Sequence, residues 1–484
     1  MITWALFLKI MNNLAKYLFK RLSILCLSVI VIFFSGCDKT EDAISFFTAD
    51  HYSGVSPLTV TFTNQSRSAV SYLWDFGDGQ QSTEKNPIHT FVFDPTQMVV
   101  DYTVTLTAYD IDGNERIYLQ HINCYKNVHT DNLRITKFDQ WVDSLVMVCF
   151  QGPYLSGISL GFIEGDEITT YNYGETKLGN SILPDNNTMY QIASITKTFT
   201  SISTLNWLQQ KGISIDDPIS TYLPSELTDN LELEGNQVTF HHLLNHTSGL
   251  PRIPSDMPDA WNIDCYSGYD SSKVFNYINN HSLLRKPGTV PKNSEQMFNY
   301  YGNLAYGLLG ITLERNKNMS LQGVFDETLL GLAGMTNTTF NDIENFSNKA
   351  YPHKKDNFPV FWHAEGLAGC VGLNSNLNDM IKYGKFILSV DKNSEVGKAL
   401  ISSLTPQYSV QFYSGLDQAC LPWYSLNSSG GKTIYSFLGQ TYGFSTYFDF
   451  ELENNKAFIL LVNNWYEDSD IFSLFKNIEN SFFD

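Results

Sequence analysis

The amino-acid sequence predicts a multidomain chain in which an all-β domain precedes a larger α+β domain. Residues 45–126 consist of short runs that alternate polar and apolar residues, such as LTVTFTN and YTVTLTAYD, separated by Gly, Asn and Asp. This period of two is typical of strands joined by turns. From residue 131 onward, apolar residues recur at helical spacing, and two strand-like runs follow near the end of the chain. Helices mixed with late strands predict the α+β architecture.

The length and composition favour folded domains and argue against a nucleic-acid-binding protein. The chain has 484 residues, of which 43% are hydrophobic and 14% aromatic, so it is long enough for two or three domains with their own cores. Its 31 lysines and arginines stand against 50 acidic residues, which gives a net charge of −19. Nucleic-acid binding favours a basic face. The acidic residues are spread along the chain, so we interpret them as a soluble surface.

The N-terminal segment predicts secretion and a lipid anchor. Basic residues precede an apolar run over residues 22–34, which ends in the small residues of FSGC. This order predicts a signal peptide over residues 1–36, too short for an ordinary transmembrane helix. The FSGC stretch resembles the bacterial lipobox, and the resemblance implies that Cys37 becomes the lipidated first residue, followed by a tether over residues 37–44. An uncleaved N-terminal anchor is the alternative. Both predict a membrane-held protein of the bacterial cell envelope, on the secreted side.

The cysteines and histidines do not predict a metal site. Outside the signal region, five cysteines are widely separated and form no CxxC pair, so we interpret them mostly as small buried residues, with room for one disulfide: Cys124, Cys149, Cys265, Cys370 and Cys420. His242 and His246 have the i, i+4 spacing of helical zinc ligands, beside His241. However, no Glu occupies the HExxH position and no third ligand is evident. We therefore expect no metal and no organic cofactor.

The first domain carries a specific motif. Trp74-Asp75-Phe76-Gly77-Asp78-Gly79, followed by STEKNPIHTF and YTVTLTAYD, closely resembles the PKD (polycystic kidney disease) domain over nearly all of residues 45–126. The resemblance implies an immunoglobulin-like β-sandwich. In it Trp74 and Phe76 would face the core, Asp78-Gly79 would make a turn, and the aspartates would be structural. Such domains most often act as spacers or bind glycan or protein, so we expect a spacer, with peptidoglycan or another glycan as a partner in the alternative interpretation.

The second domain, predicted over residues 131–484, begins and ends with helices. The elements are, in order, a helix at ITKFDQWVDSLVMV, a hairpin around Glu164-Gly165-Asp166, an amphipathic helix at SITKTFTSISTLNWLQQKG that stops at Gly212, strands at YGFSTYFDF and KAFILLVNN, and a closing helix at IFSLFKNIENSFF.

Ser194 and Lys197 are candidate catalytic residues because of where they lie. The Ser-x-x-Lys spacing occurs five times in the chain and is not informative alone. Ser194, however, begins a predicted helix, where free backbone N–H groups favour negative charge, and Lys197 lies on the same face. A lysine beside a serine becomes its base when burial or a neighbouring cation lowers the lysine pKa.

Two further segments follow SITK in order, namely HHLLNHTSGLP and YYGNLAYGLLG. Together the three resemble the serine β-lactamase and DD-peptidase superfamily, most closely its class C β-lactamase-like branch. The resemblance implies an antiparallel sheet flanked by helices, plus an all-helical part. It also implies that Tyr301 carries the proton from nucleophile to leaving group, and that Asn303 hydrogen-bonds the substrate and the lysine. The histidine-containing segment is a scaffold feature in that family.

The third motif of that family departs from the pattern here. In the family a cation, a further residue and a glycine lie on the strand that lines the site. The corresponding residues are Phe437, Leu438 and Gly439, so the glycine remains and the cation is absent. The resemblance places Gly439 against the substrate and gives the oxyanion hole to the main-chain N–H groups of Gln440 and Ser194.

The sequence therefore predicts an envelope-anchored serine hydrolase that forms an acyl-enzyme on a small-molecule or peptide substrate. The apolar residue at position 437 favours an uncharged ester or amide, as for an esterase or D-amino-acid peptidase, over a β-lactam that carries a carboxylate. The alternative is a catalytically inactive domain that binds peptidoglycan or glycan.

Overall fold

The computed structural model describes residues 43–92, 99–125, 128–150, 155–227, 229–258, 264–354, 360–410, 417–428, 430–465 and 471–484. The predicted signal peptide, Cys37 and most of the tether lie outside these residues. Within them, no helix is both long and apolar enough to cross a membrane. The chain divides into two compact units: the larger contains residues 121–484 with segments 51–60 and 90–102, and the smaller contains most of the other N-terminal strands.

The N-terminal strands form a three-stranded sheet in the order β1-β3-β6 and a five-stranded sheet in the order β2-β8-β7-β4-β5. Their bounds are β1 Phe47–Ala49, β2 Ser53–Val55, β3 Leu58–Asn64, β4 Ser71–Asp75, β5 Gln81–Ser82, β6 Ile88–Phe91, β7 Val99–Tyr109 and β8 Glu115–Tyr125.

The aromatic residues of the WDFGDG segment lie in the core of this region, as the sequence predicts. Trp74 and Phe76 are almost fully buried, and the Trp74 ring centroid lies 5.3 Å from that of Phe62 on the other sheet. Asp78 Oδ1 accepts the Gln80 N–H, and Asp78 Oδ2 lies 2.7 Å from His89 Nε2. The aspartate therefore shapes the turn, in agreement with its structural interpretation.

The second domain is built on an eight-stranded antiparallel sheet in the order β10-β9-β20-β19-β18-β17-β16-β15. Its strands are β9 Gly157–Glu164, β10 Glu167–Gly174, β15 Tyr408–Val410, β16 Asp417–Ala419, β17 Tyr424–Asn427, β18 Thr433–Gln440, β19 Ser445–Glu451 and β20 Lys456–Val462. Short pairs outside the sheet are β11 Tyr190–Gln191 with β14 Asn374–Ser375, and β12 Glu232–Leu233 with β13 Asn236–Gln237. The predicted hairpin and the two late strands are all present in this sheet.

The helices are α1 Lys137–Cys149, α2 Thr196–Lys211, α3 Phe240–Leu244, α4 Ser271–Asn280, α5 Ser294–Tyr300, α6 Asn303–Lys317, α7 Leu321–Phe325, α8 Gly331–Ala333, α9 Ala368–Val371, α10 Leu377–Ser389, α11 Glu395–Ser403 and α12 Ile471–Phe482. Helix α10 packs on β9 and β20, and the terminal helices α1 and α12 pack on each other. The α+β architecture predicted from the sequence is confirmed.

Helix α2 is not amphipathic, which corrects one expectation. Every residue from Thr196 to Leu208 is buried, because α2 packs against α6, α9 and α11. The small hydroxyl residues on its polar face fit these contacts, since most of them donate to backbone carbonyls. Thr204 Oγ1 donates to the carbonyl of Thr200, and Thr200 Oγ1 donates to that of Gly369. Helix α2 stops at Gly212, as the sequence predicts, and this glycine has a left-handed conformation with φ 65°.

The five cysteines that the structure describes are all buried, which agrees with their interpretation as small core residues. No disulfide joins any two of these five.

Candidate active site

Ser194 lies at the junction between β11 and α2, in a single 3-10 turn spanning Ala193–Ile195. The preceding Ala193 has φ 48°, a left-handed conformation that is unfavourable for a residue with a Cβ. Ser194 is 8% exposed, so its hydroxyl is nearly enclosed while remaining at the surface of the cleft. The turn therefore presents the serine at the start of α2, as the sequence predicts.

Lys197 lies one turn further along and is completely buried. Its Nζ is 3.0 Å from Ser194 Oγ and also donates to the carbonyl of Cys370 at 2.9 Å. Burial lowers the pKa of Lys197 from 10.5 to about 7, and the positive charge of Arg252 acts in the same direction. A substantial fraction of Lys197 is therefore neutral near pH 7 and able to accept the Ser194 proton.

Tyr301 follows α5 directly and faces the same pair. The Lys197 Nζ lies 4.6 Å from the centroid of its ring. Burial raises the pKa of the Tyr301 hydroxyl, although interaction with the Ser194 side chain acts in the opposite direction. The hydroxyl is therefore protonated at neutral pH. It is suited to pass a proton on, and Lys197 is the better base.

Asn303 is the first residue of α6 and is almost fully buried. Its Nδ2 donates to the Tyr266 hydroxyl at 2.9 Å, and its Oδ1 has no hydrogen-bond partner among the described residues. The expected hydrogen bond with Lys197 is absent from the described contacts, because Lys197 turns towards Ser194 and Cys370 instead. Asn303 Oδ1 is therefore a buried acceptor that the described residues leave unused.

Gly439 brings strand β18 directly against the serine turn. A Cβ at this position would lie 2.3 Å from the Ile192 carbonyl oxygen and 3.0 Å from the Ser194 nitrogen, so only glycine fits. Gln440 ends β18 next to it and pairs with Ser445 of β19. The Thr446 hydroxyl of β19 donates to the Ile192 carbonyl at 3.1 Å and holds this edge to the serine turn. The backbone of residues 439–440 thus borders Ser194.

Phe437 lies in the core beneath the cleft. It is 1% exposed, and its ring is 6.1 Å from those of both Trp423 and Tyr424, edge-on to the first and stacked with the second. Phe437 is thus part of a buried aromatic cluster, and it exposes almost no surface of its own as the expected apolar wall.

Other residues of the site were not predicted individually. His246 is buried, and its Nδ1 accepts the Gly302 N–H at 3.0 Å, which holds the Tyr301-Gly302-Asn303 segment in place. Burial lowers its pKa well below the usual value, with the charges of Lys197 and Arg252 acting in the same direction, so the ring is neutral. The scaffold role implied for HHLLNHTSGLP agrees with this contact, but no local pattern indicates which of the three histidines makes it.

A second unpredicted feature is an aromatic border. The Gln191 side chain makes two hydrogen bonds with the Trp362 backbone, at 2.8 and 3.0 Å, three residues before the serine. The Trp362 ring centroid then lies 4.9 Å from that of Tyr266 and 5.0 Å from that of Tyr442. These contacts join segments distant in sequence, so no local pattern could have indicated them.

The neighbouring histidines have separate partners. His241 lies between Asp216 and Gln407, and His242 forms a capping box with Thr239 at the start of α3. Across the part of the chain that the structure describes, no group of three or more His, Cys, Asp or Glu residues is placed to hold a metal ion.

A serine at the start of a buried helix, with a lysine one turn on and a Tyr-Gly-Asn segment beside them, is an arrangement suited to serine-hydrolase chemistry. Residues 149–479 match the beta-lactamase family, and residues 49–121 match the PKD domain. The chain belongs to the beta-lactamase family and carries a PKD domain before the family domain.

The chain is similar in sequence to relatives in this family, and the matched segment differs in length from one relative to the next. The chain is 26% identical over 254 residues to the D-alanyl-D-alanine-carboxypeptidase/endopeptidase AmpH of Escherichia coli (strain K12), which covers 52% of this chain and 62% of AmpH. It is 25% identical over 361 residues to a beta-lactamase of Providencia stuartii, covering 67% and 87% of the two chains. The chain thus spans less than two thirds of AmpH.

Solved structures share the fold at lower identity. A class C beta-lactamase is 22% identical with a TM-score of 0.58, covering 72% of this chain and 98% of that one. A beta-lactamase/D-alanine carboxypeptidase from Pseudomonas syringae is 20% identical with the same TM-score of 0.58, covering 72% and 99%. These likenesses establish the β-lactamase/transpeptidase-like fold.

Proposed function

We propose that this protein is a serine hydrolase that cleaves an ester or amide through an acyl-enzyme. The observation that carries the proposal is the 3.0 Å separation of Lys197 Nζ from Ser194 Oγ, with a lysine pKa of about 7. A buried lysine near neutrality is a base that a serine hydroxyl needs to become nucleophilic. Family membership supports the reaction type.

In the acylation step, neutral Lys197 takes the Ser194 proton as Oγ attacks the carbonyl carbon. The negative charge that develops on the carbonyl oxygen faces the backbone N–H groups of Ser194 and Gln440. The C–O or C–N bond then breaks, and Tyr301 donates its proton to the leaving group while Lys197 returns a proton to Tyr301. Water attacks the acyl-enzyme in the second half, with its proton taken by the same base, and Ser194 regains its hydrogen.

For the substrate we propose an ester or amide of the esterase or D-amino-acid peptidase type, with β-lactams as poorer substrates. The absence of a cation at position 437 supports this choice. The aromatic border of Trp362 and Tyr442, both partly exposed, offers apolar surface near the serine turn. Relatives named as a D-alanyl-D-alanine-carboxypeptidase/endopeptidase and as a beta-lactamase are consistent with acyl transfer in general.

Labelling with a fluorophosphonate and with a fluorescent penicillin tests the nucleophile. We expect at least one probe to label the wild-type protein and neither to label Ser194→Ala. Ser389→Ala is the matched control, because Ser389 also begins a Ser-x-x-Lys tetrapeptide but is exposed at the end of α10. Comparison of p-nitrophenyl butyrate with a cephalosporin then separates esterase from β-lactamase, and faster cephalosporin turnover would contradict the substrate proposal.

Failure of both probes to label folded wild-type protein would instead favour a non-catalytic domain that binds peptidoglycan or glycan. Sedimentation with purified peptidoglycan measures that binding directly.

We also propose that the protein is a lipoprotein of the cell envelope, anchored through Cys37. The basic and apolar segments before FSGC support this location. Metabolic labelling with a fatty-acid analogue in a bacterial host should mark the wild type and not Cys37→Ala. Equal labelling of both would contradict the anchor.

A further inference from the structure

Arg252 follows the HTSGLP segment and reaches the catalytic residues. Its guanidinium carbon lies 4.0 Å from the ring centroid of Phe298 and 5.1 Å from that of Tyr301. Its Nη1 donates to the carbonyl of Phe298 at 3.1 Å. Stacking on one aromatic ring and a hydrogen bond to the backbone of the same residue hold the guanidinium in one orientation.

The backbone of Arg252 is tied to the same part of the site. Its carbonyl accepts the N–H groups of Asn303 and Leu304, at 2.9 and 3.1 Å, at the start of α6. Helix α6 leaves these N–H groups without partners of its own, and Arg252 supplies the acceptor. The position of the guanidinium is thus fixed relative to Tyr301 and Asn303.

The charge of Arg252 has no acidic partner among the residues that the structure describes. Arg134, in contrast, lies 2.8 Å from Asp143. Arg252 is only partly buried and uses one of its five N–H donors in the described hydrogen bonds. A guanidinium that is held in place, accessible and without a carboxylate is suited to bind an anion, with which it forms paired hydrogen bonds.

The positive charge of Arg252 also affects the pKa values of Lys197 and Tyr301. It lowers the pKa of Lys197 after the larger effect of burial, and it lowers the pKa of Tyr301 against the larger effect of burial. Since both residues respond to Arg252, an anion bound to it would lie close to the scissile bond.

We propose that Arg252 is a specificity-determining residue that binds an anionic group, such as a carboxylate, of the substrate on the Tyr301 side of the cleft. The inference rests on the proposed hydrolase function and refines its substrate class. The anionic part of the substrate lies at Arg252, beside Tyr301. Arg252 lies on a different segment from position 437 of β18, which carries the apolar side chain of Phe437.

Two pairs of esters test this assignment. One pair differs in the acyl group, p-nitrophenyl butyrate against mono-p-nitrophenyl glutarate, and the other in the leaving group, phenyl butyrate against 3-(butyryloxy)benzoate. We expect Arg252→Gln to lower the ratio of kcat/KM for the anionic ester to that for the neutral ester about tenfold or more in at least one pair. Arg252→Lys should retain part of the preference.

The ratio within a pair cancels any change in the pKa of Lys197, because both esters depend on the same base. Arg315→Gln is the control, since Arg315 is exposed on α6 and stacks 5.7 Å from the Phe275 ring. A ratio that changes less than twofold in both pairs, with active enzyme, would overturn the assignment and leave the hydrolase proposal intact.

A wild-type protein that cleaves none of these esters would instead contradict the proposed function. Binding of phenylboronic acid and 3-carboxyphenylboronic acid, measured by calorimetry, then still decides the role of Arg252, because boronates bind without turnover. Tighter binding of the carboxylated boronate that is lost in Arg252→Gln supports the assignment. If Arg252→Gln binds each of the two boronates with the same affinity as the wild type does, the assignment is refuted.

Discussion

The substitution Lys197→Met should stabilise the protein at low pH, by an amount that falls as the pH rises. The unfolded chain holds its lysine proton up to about pH 10.5, whereas the folded protein releases it near pH 7, because burial disfavours the ammonium. Between these values the unfolded state binds more protons, so the free energy of unfolding of the wild type increases with pH. Below pH 7 the folded protein must bury the charge, and methionine removes that requirement.

The expected size follows from the two pKa values. The difference between 10.5 and about 7 corresponds to about 5 kcal/mol at pH 6, and about 2 kcal/mol of it remains at pH 9. The substitution also leaves the Cys370 carbonyl without the Lys197 hydrogen bond, which costs about 1 to 3 kcal/mol at every pH. The net gain at pH 6 is therefore about 2 to 4 kcal/mol, and it is close to zero at pH 9.

Urea unfolding of wild type and variant at pH 6, 7.5 and 9 measures the effect, with the transition of the β-lactamase-like domain followed by near-UV circular dichroism. Lys211→Met is the control, since Lys211 is exposed at the C-terminal end of the same helix. A stability difference between wild type and Lys197→Met that is the same at pH 6 and pH 9 would refute a native Lys197 pKa near neutrality. The same result would remove the physical basis for Lys197 as the base.

Three further results are expected. For a neutral ester, kcat/KM should rise about tenfold between pH 6 and pH 8, because the neutral fraction of Lys197 rises from about one tenth to about nine tenths around its pKa of about 7; a flat profile would argue against Lys197 as the base. Gly439→Ala should abolish turnover and lower thermal stability, since the added Cβ would meet the Ile192 carbonyl at 2.3 Å; an active, equally stable variant would contradict the close approach of β18. Asp449→Asn should stabilise the protein at pH 7 by about 1 to 3 kcal/mol, since burial, then the nearby Glu479, raises the Asp449 pKa. Above about pH 4, Asp449 binds more protons in the folded protein than in the unfolded chain, so the gain in the free energy of unfolding should shrink as the pH falls towards 4. Unfolding measurements over this pH range test the prediction, and a gain that does not depend on pH would contradict the raised pKa of Asp449.

The parts of the fold that sequence reasoning reached were those with a local signal. The strands at Ser445–Glu451 and Lys456–Val462 stand out as apolar runs bounded by turns, and the stop of α2 at Gly212 follows from one residue. The predicted amphipathic character of α2 was wrong because its polar face consists mainly of serines and threonines. Most of their hydroxyls donate to backbone carbonyls, so these residues pack in the core although a periodicity scale counts them as polar.

In the candidate active site, too, only contacts between residues close in sequence could be predicted. Ser194 and Lys197 lie three residues apart, so their contact follows from helix geometry once the helix is recognised. The partners of Asn303 and His246 could not be obtained in this way. Tyr266 accepts from Asn303, and Gly302 donates to His246, across chain separations of 37 and 56 residues that no periodicity constrains. Only the tertiary fold sets such contacts.

The phenylalanine at position 437 is weaker evidence for an inactive site than its place in the third motif suggests. A cation near the lysine favours catalysis in two ways, since it lowers the pKa of the base and attracts an anionic substrate. Burial alone is the largest cause of the low Lys197 pKa, and Arg252 adds to it from the opposite loop, so the base is neutral near pH 7 without a charge on β18. The remaining function of that cation is recognition, which Arg252 is placed to supply beside Tyr301. The absence of a cation at position 437 therefore bears on recognition of the substrate and leaves the base in place.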